Sequence, residues 1–337
     1  MPVAPLLYGA LPHTTLDAAM AVLQRFPMPY VVWPQLPQRS FRERSVVQAA
    51  CGFPGVVIDE QQRRVFVQRA VSAAGMPQLA LDFLQRRDAR AVMTPAEAAG
   101  LFAVLPFLQT QASHVGCKGQ LLGPISLAAQ LTDEAQNPLI SESVLFEGLV
   151  QHLCQRVRWQ AELLQRAQRD VILCIDEPFL DVIASPFLSI DRDELWTGWA
   201  RVLDAIPVRR GLAIGGDMPL APLCELPISL LMVNSADYAH RIVEAAPAID
   251  AFMQRGGMLG CGCVPLQSDR PRADVARQTI LTLVDDLHRA GIAHTLLRDH
   301  IVVMPVSSLG QTSVEIAEEV IAVTCDVAKD ITQALFS

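Results

Sequence analysis

The residues with the most chemistry to offer close the run Val171-Ile-Leu-Cys-Ile-Asp-Glu-Pro178. Five apolar residues lead without a break into Asp176 and Glu177, and Pro178 stops the run. Such a run reads as a strand buried on both faces, as in a parallel sheet covered by helices. Two carboxylates at its end are costly unless solvated or paired. They are therefore candidates for acid/base work, with a helix cap as the bland reading of Asp176. Lys118 lies within another expected strand, and a buried ammonium there needs a partner that Asp176 or Glu177 would supply. Cys261 and Cys263 are alternate residues of a third strand, so both thiols face one way. Two thiolates on one face can hold zinc, but zinc pairs are more often spaced Cys-x-x-Cys, and no second pair is present. Buried core thiols are the plainer reading, with a metal role as the alternative.

These residues need strands to carry them to one place. Strands are expected around Leu6, Val31, Cys117, Leu173, Ala213, Leu231, Gly260 and Val302, nearly every one followed by a helix. That alternation predicts an α/β fold, a TIM (β/α)8 barrel, treated as a single domain over 1–337. A doubly wound sheet is the alternative, weakened because no Gly-rich dinucleotide turn follows the first strand. Gly55-Val-Val-Ile58 and Arg64-Val-Phe-Val67 flank a polar turn and read as a hairpin. Helices are expected over Met76–Arg87 and Pro95–Gln109 here, and over Ala236–Gln254 later in the chain. Residues 53–111 are therefore expected to be an insertion, a hairpin plus helices, after the second strand.

In a barrel the carboxyl ends of the strands share one mouth. The residues expected there are His13, Trp33, Gln35, Lys118, Gln120, Asp176, Glu177, Gly215, Gly216, Asp217, Asn234, Ser235, Cys261, Cys263, Ser307 and Ser308, with Ser126 just beyond the third strand. Singly, most have bland readings. His13 would cap or bond to backbone, and Trp33 would be either core or a stacking wall for a planar ligand.

Composition narrows the class. Apolar residues make up 51% and charged residues 18%, which allows a large core. The net charge of −8, without a basic cluster, argues against nucleic acid or an anionic membrane as partner. No apolar run approaches the ~18 residues of a membrane span. The start of the chain lacks a signal-peptide pattern. The eight cysteines form no paired framework and read as reduced, hence a cytoplasmic location.

Taken together, several stretches resemble the superfamily of cobalamin-independent methionine synthase and uroporphyrinogen decarboxylase. They are Gly9-Ala-Leu-Pro-His-Thr14, Trp33-Pro-Gln-Leu-Pro37, Lys118-Gly-Gln-Leu-Leu-Gly-Pro-Ile-Ser126, Ile175-Asp-Glu-Pro178 and Pro305-Val-Ser-Ser-Leu-Gly310. Their order and spread match the short, single-barrel methionine-synthase-like proteins. The resemblance implies a TIM barrel and transfer of a methyl group from a folate or a corrinoid protein to a thiol. It also implies a zinc ion that activates the thiol. Asp176 matches the family acid that helps hold the amino group of a homocysteine-like substrate.

The resemblance places the zinc ligands after the fifth, sixth and eighth strands. Here those places hold Ala213, Ile214 and Gly215, then Asn234, then Ser307, so the zinc site is expected to be lost. Two other readings stand beside a methyltransferase. One is a metal-free lyase of the decarboxylase type, with Lys118 and Arg39 holding carboxylates and Asp176 stabilising a developing cation. The other is a catalytically silent protein that binds a cofactor or a partner.

Overall fold

The computed structural model describes residues 3–26, 28–110, 114–186, 188–266 and 272–336. Eight parallel strands form its main sheet: β1 (Ala4–Pro5), β2 (Tyr30–Val32), β3 (Gly116–Leu122), β4 (Asp170–Glu177), β5 (Arg209–Ile214), β6 (Leu230–Val233), β7 (Met258–Val264) and β8 (Ile301–Pro305). From β2 to β8 each strand pairs with the next along the chain, and β8 returns to pair with β1, Ala4 opposite Val302. The remaining seam, between β1 and β2, is joined beyond the strand ends. There Ala10 bridges Gln35, with Leu11 N donating to Gln35 O at 2.9 Å and Gln35 N to Gly9 O at 3.1 Å. The fold is an α/β TIM-barrel-like ring with helices outside it.

The sequence explains why the ring holds. In β4, Ile172 and Cys174 pack with Leu6, Tyr30, Leu230, Met232, Met258, Val302 and Met304, which fill the lumen. Val171, Leu173 and Ile175 alternate with them and join the larger outer core under the helices. Both faces are thus apolar, which is why the run shows no polar alternation. Full burial of each such aliphatic side chain contributes roughly 1.5–3 kcal/mol. The outer layer is built by helices that include Leu16–Arg25, Ser143–Gln165, Arg192–Asp204, Ala273–Arg289 and Val314–Phe336. Thr15 caps the first of them and Asp191 the third, each accepting a hydrogen bond from an N–H of the opening turn.

Between β2 and β3 lies the expected hairpin, Val56–Asp59 paired antiparallel with Arg64–Val67, followed by helices Arg69–Leu84 and Pro95–Thr110. The expected end of that segment, residue 111, lies outside the described residues. Three details differ from the sequence reading. The first of these helices starts at Arg69 and carries Pro77 inside it. The helix expected over Ala236–Gln254 is two helices, Ser235–Glu244 and Ala246–Gln254. Pro247 accounts for the break, since it cannot donate to the preceding turn and starts a helix readily. A short helix, His294–His300, precedes β8. Among the described residues no helix is long and apolar enough to cross a membrane.

Candidate active site

A cavity of ≈ 550 Å³ opens at the carboxyl end of the ring. Seven of the residues expected at this mouth line it together: Gln35, Asp176, Gly215, Gly216, Asn234, Ser307 and Ser308. Each is placed by an element end. Asn234 follows β6 and caps the helix Ser235–Glu244, its Oδ1 accepting from Ala236 N at 3.1 Å and Asp237 N at 3.2 Å. Gln35 sits on the seam bridge and donates to Gln48 Oε1 at 2.5 Å.

Asp176 presents a carboxylate to the cavity from the end of β4. It is only partly exposed, and its Oδ1 is buried with no hydrogen-bond partner. Burial pushes its carboxyl up to about 6, against the opposing pull of the Lys118 ammonium. The charged form therefore lacks stabilising donors and is poised to take a proton or a cationic group. Tyr8 stands in the same wall, and burial, helped by the Asp176 charge, raises its hydroxyl pKa strongly.

The other expected site residues lie elsewhere. Glu177 points away from the cavity. Its carboxylate accepts from Ile125 N at 3.1 Å and Ser126 N at 2.7 Å, the opening N–H groups of helix Pro124–Gln130. Burial pushes it up to about 7. Alternation along β4 puts it on the opposite face from Asp176. Ser126 belongs to the same cap, its Oγ accepting from Phe179 N at 3.0 Å.

Lys118 is fully buried in the lumen beneath the cavity and donates to Tyr8 O at 2.8 Å. The expected ion pair with Asp176 or Glu177 is not formed; among the described residues Lys118 has no carboxylate within ion-pair distance. Gln120, above it, donates to Trp33 O at 2.9 Å. Trp33 is fully buried outside the ring, its Nε1 donating to Gln160 Oε1 at 3.0 Å on the helix Ser143–Gln165, so it is core and not a ligand wall. His13 is buried and lies 3.4 Å from Glu318 of the last helix. Asp217 is exposed and paired with Arg241.

Cys261 and Cys263 do face one way, and that way is outward. Both belong to the core under the helices, while Met258 of the same strand faces the lumen. Burial raises both thiols, Cys263 to about 12. The cavity lining contains neither His nor Cys. Among the described residues no group of three or more His, Cys, Asp or Glu could hold a metal ion. A zinc of the kind implied by the resemblance does not fit the donors present, because borderline-soft zinc takes thiolate and imidazole ligands first.

The sequence reading missed Tyr8, Glu43, Arg44 and Tyr238, all in the lining. A signal existed for two of them. Arg39, Arg42, Glu43 and Arg44 crowd a short stretch just after β2, where a mouth loop must lie.

No protein-family profile and no curated protein sequence matches the chain. Solved structures do. A B12-independent methionine synthase from Shewanella sp. W3-18-1, in complex with selenomethionine, superposes with a TM-score of 0.59 at 12% identity, covering 95% of this chain and 87% of that one. A methyltransferase from Methanosarcina mazei superposes with a TM-score of 0.55 at 17% identity, covering 91% and 83%. At these identities the likeness is one of fold: the chain shares the barrel of these two proteins.

Proposed function

We propose that the chain is a methionine-synthase-like protein that binds a small, amino-bearing molecule at the mouth of the barrel without zinc. Methyl transfer to that molecule, from a folate or a corrinoid protein, is the reaction its fold favours. One observation carries the reading. Asp176 presents a buried, unpartnered carboxylate oxygen to a cavity large enough for such a molecule. An ammonium group there would supply the missing donors and favour the charged carboxylate. Lys118 stays below as a fixed positive charge that keeps Asp176 from rising further. The eight unpaired thiols fit a reducing compartment such as the cytoplasm.

The test is calorimetric titration with L-homocysteine and L-methionine against their des-amino counterparts, 4-mercaptobutanoate and 4-(methylthio)butanoate. The amino compounds should bind about tenfold more tightly or better, as expected for a charge-assisted hydrogen bond. Asp176→Asn should remove the difference. Equal binding of both sets to the unaltered chain overturns the reading. Assays with methyl-folate and methyl-corrinoid donors then address turnover.

A catalytically silent binding protein is the second reading. The lining favours it because it offers neither His nor Cys to hold a thiol-activating metal. Tight binding without turnover over the donor panel would decide for it. The decarboxylase-type lyase draws no support from the lining, where Glu43 and Asp176 outnumber Arg44 and where Arg39 is already paired with Glu43.

A further inference from the structure

We propose that Arg44 is the anion-binding residue of the cavity, so that the site takes molecules carrying an acidic oxyanion together with an amino group, in the manner of a zwitterionic amino acid. The inference rests on the amine-binding reading above and adds the second half of the ligand.

Arg44 differs from the charges around it. Arg39 pairs with Glu43, and Arg42 with Glu60 and Glu97. Glu43 also accepts from Leu36 N at 2.9 Å, so it has little left to offer a further cation. Arg44 lines the cavity and, among the described residues, makes no ion pair and no side-chain hydrogen bond. Its Nε is buried without a partner. Its guanidinium lies over the Phe41 ring, 5.4 Å from the centroid, which orients it without supplying an acceptor. A buried donor left unmade is costly, and a guanidinium offers a planar fork that matches a carboxylate or a sulfonate.

Asp176 does not serve as that acceptor. The two make no ion pair, and the cation that acts on the Asp176 carboxyl is Lys118. Two opposite charges thus line one cavity without neutralising each other. A ligand with both an ammonium and an oxyanion answers both at once.

The experiment is a titration of the unaltered chain, Arg44→Gln and Arg44→Lys, each checked for an unchanged thermal melt. The probes are L-methionine, its decarboxylated counterpart 3-(methylthio)propylamine, and its sulfonate counterpart, 1-amino-3-(methylthio)propane-1-sulfonate. The acidic probes should bind the unaltered chain about tenfold or more tightly than the amine. Arg44→Gln should remove that advantage while leaving amine binding within twofold, and Arg44→Lys should restore part of it. Whether carboxylate or sulfonate gains more identifies the oxyanion. An acidic-probe advantage that survives in Arg44→Gln, or an equal loss of amine binding, overturns the role of Arg44 and leaves the amine reading standing. If the unaltered chain binds none of the probes, the amine reading falls first and this inference with it.

Discussion

Asp176 and Glu177 are neighbours in sequence and face opposite sides of one strand wall. Asp176 looks into the cavity with an unpartnered oxygen, and Glu177 holds two backbone N–H groups of helix Pro124–Gln130 on the far side. The adjacent acids therefore have separable duties. Glu177→Ala leaves two buried donors without acceptors and should lower stability by about 2–4 kcal/mol in urea unfolding. Asp176→Asn should leave stability equal or higher near neutral pH. A neutral Glu177→Ala would remove the capping role.

The raised Asp176 carboxyl sets a sign for pH dependence. Its folded value, about 6, lies above the ordinary 3.8. The folded state therefore binds the proton more tightly. That contribution is fully present below about 3.8 and is lost as pH rises through about 6. Asp176→Asn cannot ionise, so its stability relative to the unaltered chain should rise across the same window. Two units correspond to about 3 kcal/mol, and partial exposure reduces this to about 1–2 kcal/mol. Parallel melts at pH 4 and pH 7.5 measure it. A difference that does not change between those pH values contradicts the assigned shift. Affinity for an ammonium should run the other way, weakening below about 6 as the carboxylate is protonated.

Thiol reactivity should separate one cysteine from the rest. Seven of the eight are buried, and Cys51 is partly exposed. Ellman titration of the native chain should give at most one fast thiol, and all eight on unfolding. Zinc measured after gentle purification should be well below one equivalent, and unaltered in a Cys261→Ser, Cys263→Ser double variant. Stoichiometric, tightly held zinc would contradict the donor argument.

Gly9 and Gln120 set a packing prediction. Gly9 has a φ of +134°, and a Cβ added there would lie 2.5 Å from Cδ of Gln120. Gly9→Ala should cost about 1–3 kcal/mol through backbone strain and the clash. Adding Gln120→Ala should return only the clash portion, since the backbone conformation still disfavours a side chain. A Gly9→Ala chain as stable as the original contradicts this geometry.

The fold was legible because each strand of a covered parallel barrel is an apolar run followed by an amphipathic helix, as β4 and the helix after it display. The site was less legible for the same reason. When both faces of a strand are apolar, sequence does not mark which one looks into the lumen. Cys261 and Cys263 were rightly placed on one face, and only packing against the helices identifies it as the outer one. Trp33, two residues before Gln35, shares its strand-end position in the sequence, yet it anchors to Gln160 outside the ring. Tyr8 carries no such mark, because its place over the lumen lysine Lys118 is set by a tertiary contact.

Among the described residues the seam between β1 and β2 rests on a single bridge, Ala10 to Gln35, whereas β2 and β3 share three register pairs. The ring is therefore weakest at the side of the mouth from which Gln35 faces the cavity. Amide hydrogens of Leu11 and Gln35 should exchange with deuterium sooner than those of β4. A molecule seated against Gln35 would slow them, making this join a gauge of occupancy that needs no turnover to read.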